Sequence, residues 1–184
     1  MKEISILDIE GVKIGNASDK KGLTGVTAII CPDGAPCGVD IRGGGPASRE
    51  TQLLNPLAAA EKIHAVILSG GSAFGLDCAG GVMEYLEEKG IGFDTGITKV
   101  PLVCTSCIFD LVIGDYKCRP DKKMGYEAAE NAFKGLFKEG SEGAGTGATV
   151  GKLKGPGFMM KSGIGAYAAE CGGLKMGAVV CVNA

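Results

Sequence analysis

Ser69-Gly-Gly-Ser-Ala-Phe-Gly-Leu-Asp-Cys-Ala-Gly-Gly-Val-Met-Glu-Tyr-Leu-Glu-Glu-Lys-Gly90 is the clearest strand-to-helix junction in the chain. The apolar run Ala65-Val-Ile-Leu68 enters it and breaks at Gly70-Gly71. Ser72 is placed to cap a helix, because its hydroxyl can accept from an unpaired N–H of the first turn. Gly75, Ala79, Val82, Met83 and Leu86 then recur at helical spacing on one face, while Glu84, Glu87 and Glu88 fall on another. Gly90 ends the helix as a C′ residue. Gly75, Ala79 and Gly80 leave room for another backbone to come close, so the helix is expected to pack deep against a sheet.

Working towards the N-terminus, His64–Leu68 is expected to be a buried strand, and Glu50–Ile63 a helix interrupted by Pro56, with Asn55 capping its second part. Val26-Thr-Ala-Ile-Ile-Cys31 is β-rich and meets the turn signal Pro32-Asp-Gly34, after which Cys37-Gly-Val-Asp-Ile-Arg42 resumes as a strand; an antiparallel pair is expected there. Ile4–Ile14 has the pattern of a strand pair or hairpin around Glu10-Gly11. Towards the C-terminus, Gly92-Phe93 and Val100-Pro-Leu-Val103 surround a looped connection, and Cys107–Ile113 is a further apolar segment. Met124–Phe137 carries Ala128, Ala129, Ala132, Phe133 and Leu136 at helical spacing, ending near Gly140. Gly172-Gly173 predicts a two-residue hairpin between apolar strands. The chain stops within the last of these, which reads as a cut rather than a finish. No linker, repeat or second domain is apparent, so 1–184 is read as one domain.

A net charge of −2 over 184 residues, with Lys122-Lys123 a pair and not a patch, argues against nucleic acid or an anionic membrane as partner. No charged segment followed by an apolar one opens the chain, and each apolar run is broken before it could span a bilayer, so a soluble cytoplasmic protein is expected. Thirty-two glycines without a collagen period imply tight turns and close backbone approach. The eight cysteines lie mostly in apolar segments and read as reduced, buried thiols.

The glycine turn after Leu68 could cradle an anion, but its spacing fits neither the Walker nor the dinucleotide pattern, and tight packing accounts for it as well. Cys104-Thr-Ser-Cys107 is a single CxxC without a second pair, and His64, the one histidine, sits at the mouth of an apolar strand. No metal or cofactor is therefore expected.

Five ordered stretches carry a more specific signal: Arg42-Gly-Gly-Gly-Pro-Ala-Ser-Arg-Glu-Thr51, Ser69–Gly90, Gly143-Ala-Gly-Thr-Gly-Ala-Thr-Val-Gly-Lys152, Lys161-Ser-Gly-Ile-Gly165 and Gly177-Ala-Val-Val-Cys-Val-Asn-Ala184. Together they resemble the DmpA-like family of N-terminal-nucleophile hydrolases, which includes L-aminopeptidase/D-esterases, β-peptidyl aminopeptidases and nylon-oligomer hydrolases. The resemblance implies a four-layer α/β/β/α sandwich, made as a precursor that cuts itself into two subunits, of which this chain matches the larger. It also implies that a Ser or Thr at the new N-terminus of the smaller subunit is the nucleophile, with its own α-amine as base. An α-amine has a reference pKa near ~8, which suits that task near neutral pH.

By the same resemblance, Asn183 is the oxyanion-hole residue and Lys152 a lysine near the nucleophile. A tyrosine found in other members has Cys107 or Phe109 in its place here. The family does not cut at Thr146 or Thr149, so no residue of the chain is assigned as nucleophile. The expected function is release of N-terminal residues from short peptides, amides or esters, with the smaller subunit as partner, the chain alone inactive, and assembly as a homo-oligomer. The alternatives are an inactive remnant serving as an assembly or binding module and, ranked lower, acyl transfer of the ornithine acetyltransferase kind.

Overall fold

The computed structural model describes residues 1–184 throughout. Its regular elements are β1 (Lys2–Ile4), β2 (Lys13–Asp19), β3 (Thr24–Ala35), β4 (Ser48–Arg49), β5 (Ile63–Ser69), α1 (Cys78–Glu88), β6 (Phe93–Asp94), β7 (Lys99–Val100), β8 (Val103–Cys107), α2 (Lys122–Phe133), β9 (Thr149–Val150), β10 (Met160–Lys161), β11 (Ile164–Cys171) and β12 (Leu174–Cys181). Five strands form the main sheet in the order β2-β3-β5-β8-β4. β5 and β8 run parallel, Ala65 opposite Val103 through Ser69 opposite Cys107, and α1 lies in the crossover between them. The other pairings in this sheet are antiparallel.

One face of the sheet is apolar at every second residue: Val26, Ala28 and Ile30 of β3, Ala65 and Ile67 of β5, and Val103 of β8. Against it pack Cys78, Ala79, Val82, Tyr85 and Leu86 of α1 and Ala128, Ala129 and Ala132 of α2, which makes one continuous core. The helices meet closely because Gly81 and Gly125 carry no Cβ; one on Gly81 would overlap the Lys122 carbonyl. Gly80, expected to serve this purpose, meets only the side chain of Lys122. On the other face of the sheet the turn Gly143–Gly147 is buried, with Ala144 N–H donating to Thr27 Oγ1 at 3.1 Å and Gly143 N–H to Ser18 Oγ at 2.8 Å.

A second sheet has the order β1-β11-β12 and is antiparallel throughout. The hairpin predicted at Gly172-Gly173 is present, with Cys171 paired to Leu174. On one face of this sheet Gly177 lies against Ile6 and Ile9. On the other, Tyr167, Leu174, Met176 and Val180 are exposed, Met176 by 62%.

Several local expectations are corrected. Ile4–Ile14 is not a hairpin: β1 joins the second sheet and β2 the first. β3 runs on through Pro32-Asp33-Gly34, because its partner β2 ends opposite Ile30 and the missing Pro32 N–H then costs no ladder bond on that side. Cys37–Arg42 is irregular, and the antiparallel partner of β3 on that side is β5. Only Thr51–Leu54 of the Glu50–Ile63 helix forms, as a 3-10 turn, since Asn55 instead closes a local turn by accepting from Leu57 N–H at 2.9 Å. Ser72 is not an N-cap: it sits at φ 53°, its N–H donates to Ile108 O, and Ser72–Asp77 winds as a 3-10 helix before α1 begins. The second helix starts earlier, at Lys122, with Asp121 Oδ1 accepting from Met124 N–H, and ends at Phe133. No helix is long and apolar enough to cross a membrane.

Candidate active site

The carboxyl ends of the parallel pair β5 and β8 open onto a cavity of about 310 Å³. Leu68 comes from β5, Ser106, Cys107 and Ile108 from the end of β8, and Val39–Arg42 with Pro46–Ser48 and Thr51 from the glycine-rich segment before β5. Cys181 and Asn183 close it from the end of β12. Such a crevice at strand carboxyl ends is where α/β sheets usually hold ligands. A larger cavity, about 810 Å³, lies under Lys2–Asp8, but none of the five motif stretches lines it. Converging chemistry, not size, therefore selects the smaller one.

Asn183 is fixed by a single contact. Its Oδ1 accepts from Phe109 N–H at 2.9 Å. Since a backbone N–H can only donate, the carboxamide oxygen must face Phe109, and Nδ2 is left with its two N–H donors free of any protein acceptor. An amide N–H held in this way at a cavity wall is suited to bind an oxygen that gains negative charge.

Lys152 is placed elsewhere. Its Nζ donates to Thr149 O and Thr149 Oγ1, both at 3.1 Å, and it does not line the cavity. Lys161, whose Nζ donates to Gly145 O at 2.9 Å, is the lysine whose charge acts on Cys181, though it too does not line the cavity. Burial lowers its pKa, and the neighbouring Cys181 acts in the opposite sense. Lys161 stood within one of the quoted motifs, but the sequence offered no reason to prefer it. The structure thus brings Asn183 together with the Arg42–Thr51 segment and leaves Lys152 outside the cavity.

Burial pushes the Cys107 thiol up to about 12 and the Cys181 thiol up to about 11, so neither is a ready nucleophile. Of the two residues standing in the tyrosine's place, Cys107 lines the cavity and Phe109 contributes its backbone N–H. Thr146 is buried in the turn beneath the sheet, away from the cavity wall. His64 plays a structural part, its Nδ1 accepting from Leu102 N–H at 3.1 Å. All eight cysteines are free; Cys78, Cys104 and Cys107 are buried, whereas Cys37 and Cys171 are exposed and depart from the expected buried thiols.

Residues 5–184 match the model of peptidase family S58. The chain belongs to peptidase family S58. Among S58-like relatives, it is 40% identical over 197 residues to an uncharacterized aminopeptidase of Mycobacterium leprae, a match covering 97% of this chain and 52% of that one. It is 35% identical over 152 residues to the 6-aminohexanoate-oligomer endohydrolase of Kocuria sp., covering 83% of this chain and 40% of the relative. The chain thus spans about half the length, or less, of these curated relatives. The L-aminopeptidase D-Ala-esterase/amidase of Ochrobactrum anthropi, described as a variant of the Ntn hydrolase fold, superposes with a TM-score of 0.65 at 19% identity. That match covers 98% of this chain and 53% of the other, and it assigns the fold. The S58 chain is accordingly a mixed α/β protein that shares the fold of that structure.

Proposed function

We propose that this chain supplies the oxyanion-binding half of an N-terminal-nucleophile amidohydrolase that releases N-terminal residues from short peptides, amides or esters. The observation that carries the reading is the Asn183 carboxamide, held at Oδ1 by Phe109 N–H with Nδ2 free at the wall of the cavity. Membership of S58 and the names of its relatives, an aminopeptidase and an oligomer endohydrolase, support the reaction class.

In this mechanism the nucleophile is a Ser or Thr at the new N-terminus of a smaller subunit, produced by self-cleavage of polypeptide that the relatives possess beyond the matched half. Its hydroxyl attacks the scissile carbonyl and its α-amine takes the proton. Asn183 Nδ2 donates to the oxyanion of the tetrahedral intermediate, an interaction typically worth roughly 3–4 kcal/mol. The Lys161 ammonium near Cys181, or Lys152 after rearrangement, supplies positive charge that favours the unprotonated amine.

The smaller subunit also has a surface to meet. Tyr167, Leu174, Met176 and Val180 leave one face of the second sheet uncovered, and β12 is its edge strand. Covering that face would add the layers that complete a four-layer α/β/β/α sandwich, and we read the whole as a cytoplasmic homo-oligomer. The same face favours a second reading, an assembly module without catalysis, because it needs no catalytic residue.

The experiment is to produce the chain with the nucleophile-bearing segment, weigh the product intact, and assay aminoacyl p-nitroanilides. Two fragments with a new Ser or Thr terminus, and turnover that falls roughly 10²- to 10³-fold in Asn183→Ala, are expected. Turnover by the chain alone, or indifference to Asn183→Ala, would overturn the mechanism. An uncut, inactive product that still associates would favour the assembly module.

A further inference from the structure

We propose that Asp110 is a positioning residue for the oxyanion donor Asn183, acting through the backbone N–H of Phe109. The inference rests on the functional reading above for its consequence, but its geometry stands separately. Asp110 is 2% exposed and has no ion-pair partner. Its Oδ1 accepts from Gly71 N–H at 2.6 Å and its Oδ2 from Thr24 Oγ1 at 2.7 Å. Gly70 and Gly147 press against the same carboxylate, each so close that a Cβ would collide with it. The starts of β3 and of the Ser72–Asp77 turn, the buried Gly143–Gly147 turn and the exit from β8 thus all converge on one side chain.

The segment that leaves β8 is pinned on every side but one. Cys107 N–H donates to Ala47 O at 2.9 Å, Ile108 N–H to Ser69 O at 2.8 Å, and Ile108 O accepts from Ser72 N–H at 3.0 Å. Asp110 fixes the next turn through its two short bonds. Phe109 lies between these anchors, and its N–H is the group that holds Asn183 Oδ1. Bonds to a carboxylate are about twice as strong as neutral ones, so they set the orientation of this peptide more firmly than a neutral side chain would. A carboxylate buried without a cation is costly to solvate, and only such a set of donors makes it tolerable.

The direction of Asn183 Nδ2 therefore depends on Asp110 through a chain of three groups: carboxylate, Phe109 N–H, Asn183 amide. A displacement of about 1 Å at such a donor can cost on the order of a hundredfold in rate. Asp110 itself touches no substrate in this scheme. Its effect must appear in the chemical step and must vanish when Asn183 is gone.

The test is a double-mutant cycle in the chain joined to its nucleophile-bearing segment. Asp110→Asn and Thr24→Val, both nearly isosteric, are each made with Asn183 present and with Asn183→Ala. Each is expected to lower kcat roughly ten- to a hundredfold with KM within about twofold, and to have no further effect in the Asn183→Ala background. Equal losses in both backgrounds would reduce Asp110 to a purely structural clamp and overturn the proposal. Should Asp110→Asn fail to fold, Thr24→Val still carries the cycle. Hydrogen exchange of the 184-residue chain gives the answer when nothing is hydrolysed. Loss of protection at Phe109 N–H in either variant, with Ile108 N–H unchanged, supports the positioning role. Unchanged protection at Phe109 overturns it whatever the fate of the functional reading.

Discussion

Gly125 of α2 lies against the carbonyl of Cys78 at the first residue of α1, and a Cβ at either Gly125 or Gly81 would overlap the backbone of the opposite helix. The neighbouring Gly80 faces the aliphatic stem of Lys122, an exposed side chain ion-paired at long range to Glu84, and Lys122 Cε stands 3.0 Å from the position a Cβ would take. The same substitution at adjacent glycines should therefore act in opposite directions. Gly81→Ala forces the helices apart and is expected to cost about 1–3 kcal/mol. Gly80→Ala removes only the backbone entropy of glycine and is expected to be neutral or to stabilise by up to about 1 kcal/mol. Urea denaturation of the two variants compares them directly. Equal destabilisation would mean that the helix crossing is not as tight as described.

That contrast also shows what the sequence discloses. The strand Ile63–Ser69 and the helix after it were legible because an apolar run, a glycine break and a 3.6-residue period are local signals. Gly172-Gly173 was legible for the same reason. Which glycine meets the other helix was not, since Gly80 and Gly81 differ by one step of helical phase and only the position of α2 distinguishes them. Cys37–Arg42 has strand-like residues but stays irregular, the antiparallel partners of β3 being β2 and β5. At the site, a motif pointed to Asn183, and the fold puts that residue on the cavity wall. The role of Phe109 was hidden, because it is played by a backbone N–H that every non-proline residue has. Lys152 and Lys161 are both lysines next to glycine-rich turns, and only the fold puts one of them beside Cys181.

Acid should expose the part played by His64. Burial, and to a lesser degree the Lys99 ammonium, lower the imidazole pKa from 6.5. The neutral form is also the one whose Nδ1 can accept from Leu102 N–H. Folding therefore favours unprotonated His64: its contribution is complete above about 6.5 and is lost as the pH falls through the lower folded value. His64→Asn keeps an acceptor near Nδ1 without a titrating proton. Denaturation at a series of pH values should show the parent losing stability more steeply than the variant below pH about 6.5. Parallel curves would remove His64 from the account.

The thiols should react in an order set by exposure. Cys37 and Cys171 are exposed, whereas burial pushes Cys78 to about 11 and Cys107 to about 12, leaving almost no thiolate at neutral pH. Timed alkylation with iodoacetamide, followed by peptide mapping, should label Cys37 and Cys171 first and Cys78 and Cys107 only under denaturing conditions. Early modification of Cys107 in the folded chain would show that the wall of the candidate site opens to solvent.

The uncovered face of the second sheet makes the last prediction. Side chains alternate along β12, so Leu174, Met176 and Val180 fall on one face together with Tyr167 from β11. Lys175, on the opposite face, is bonded to Asp8 O and Glu10, which ties that side to the N-terminal segment. Apolar surface on an edge strand is prone to associate. The chain by itself is accordingly expected to self-associate, and Met176→Lys with Val180→Lys to make it monomeric in sedimentation equilibrium. Because both side chains point to solvent, the double substitution should change the melting temperature by no more than about the effect of 0.5 kcal/mol per site. If the proposed smaller subunit docks on this face, the same substitutions in the chain joined to that segment should prevent processing, since the segment then meets two ammonium groups in place of apolar surface. Normal self-cleavage of that variant would place the subunit contact on some other face.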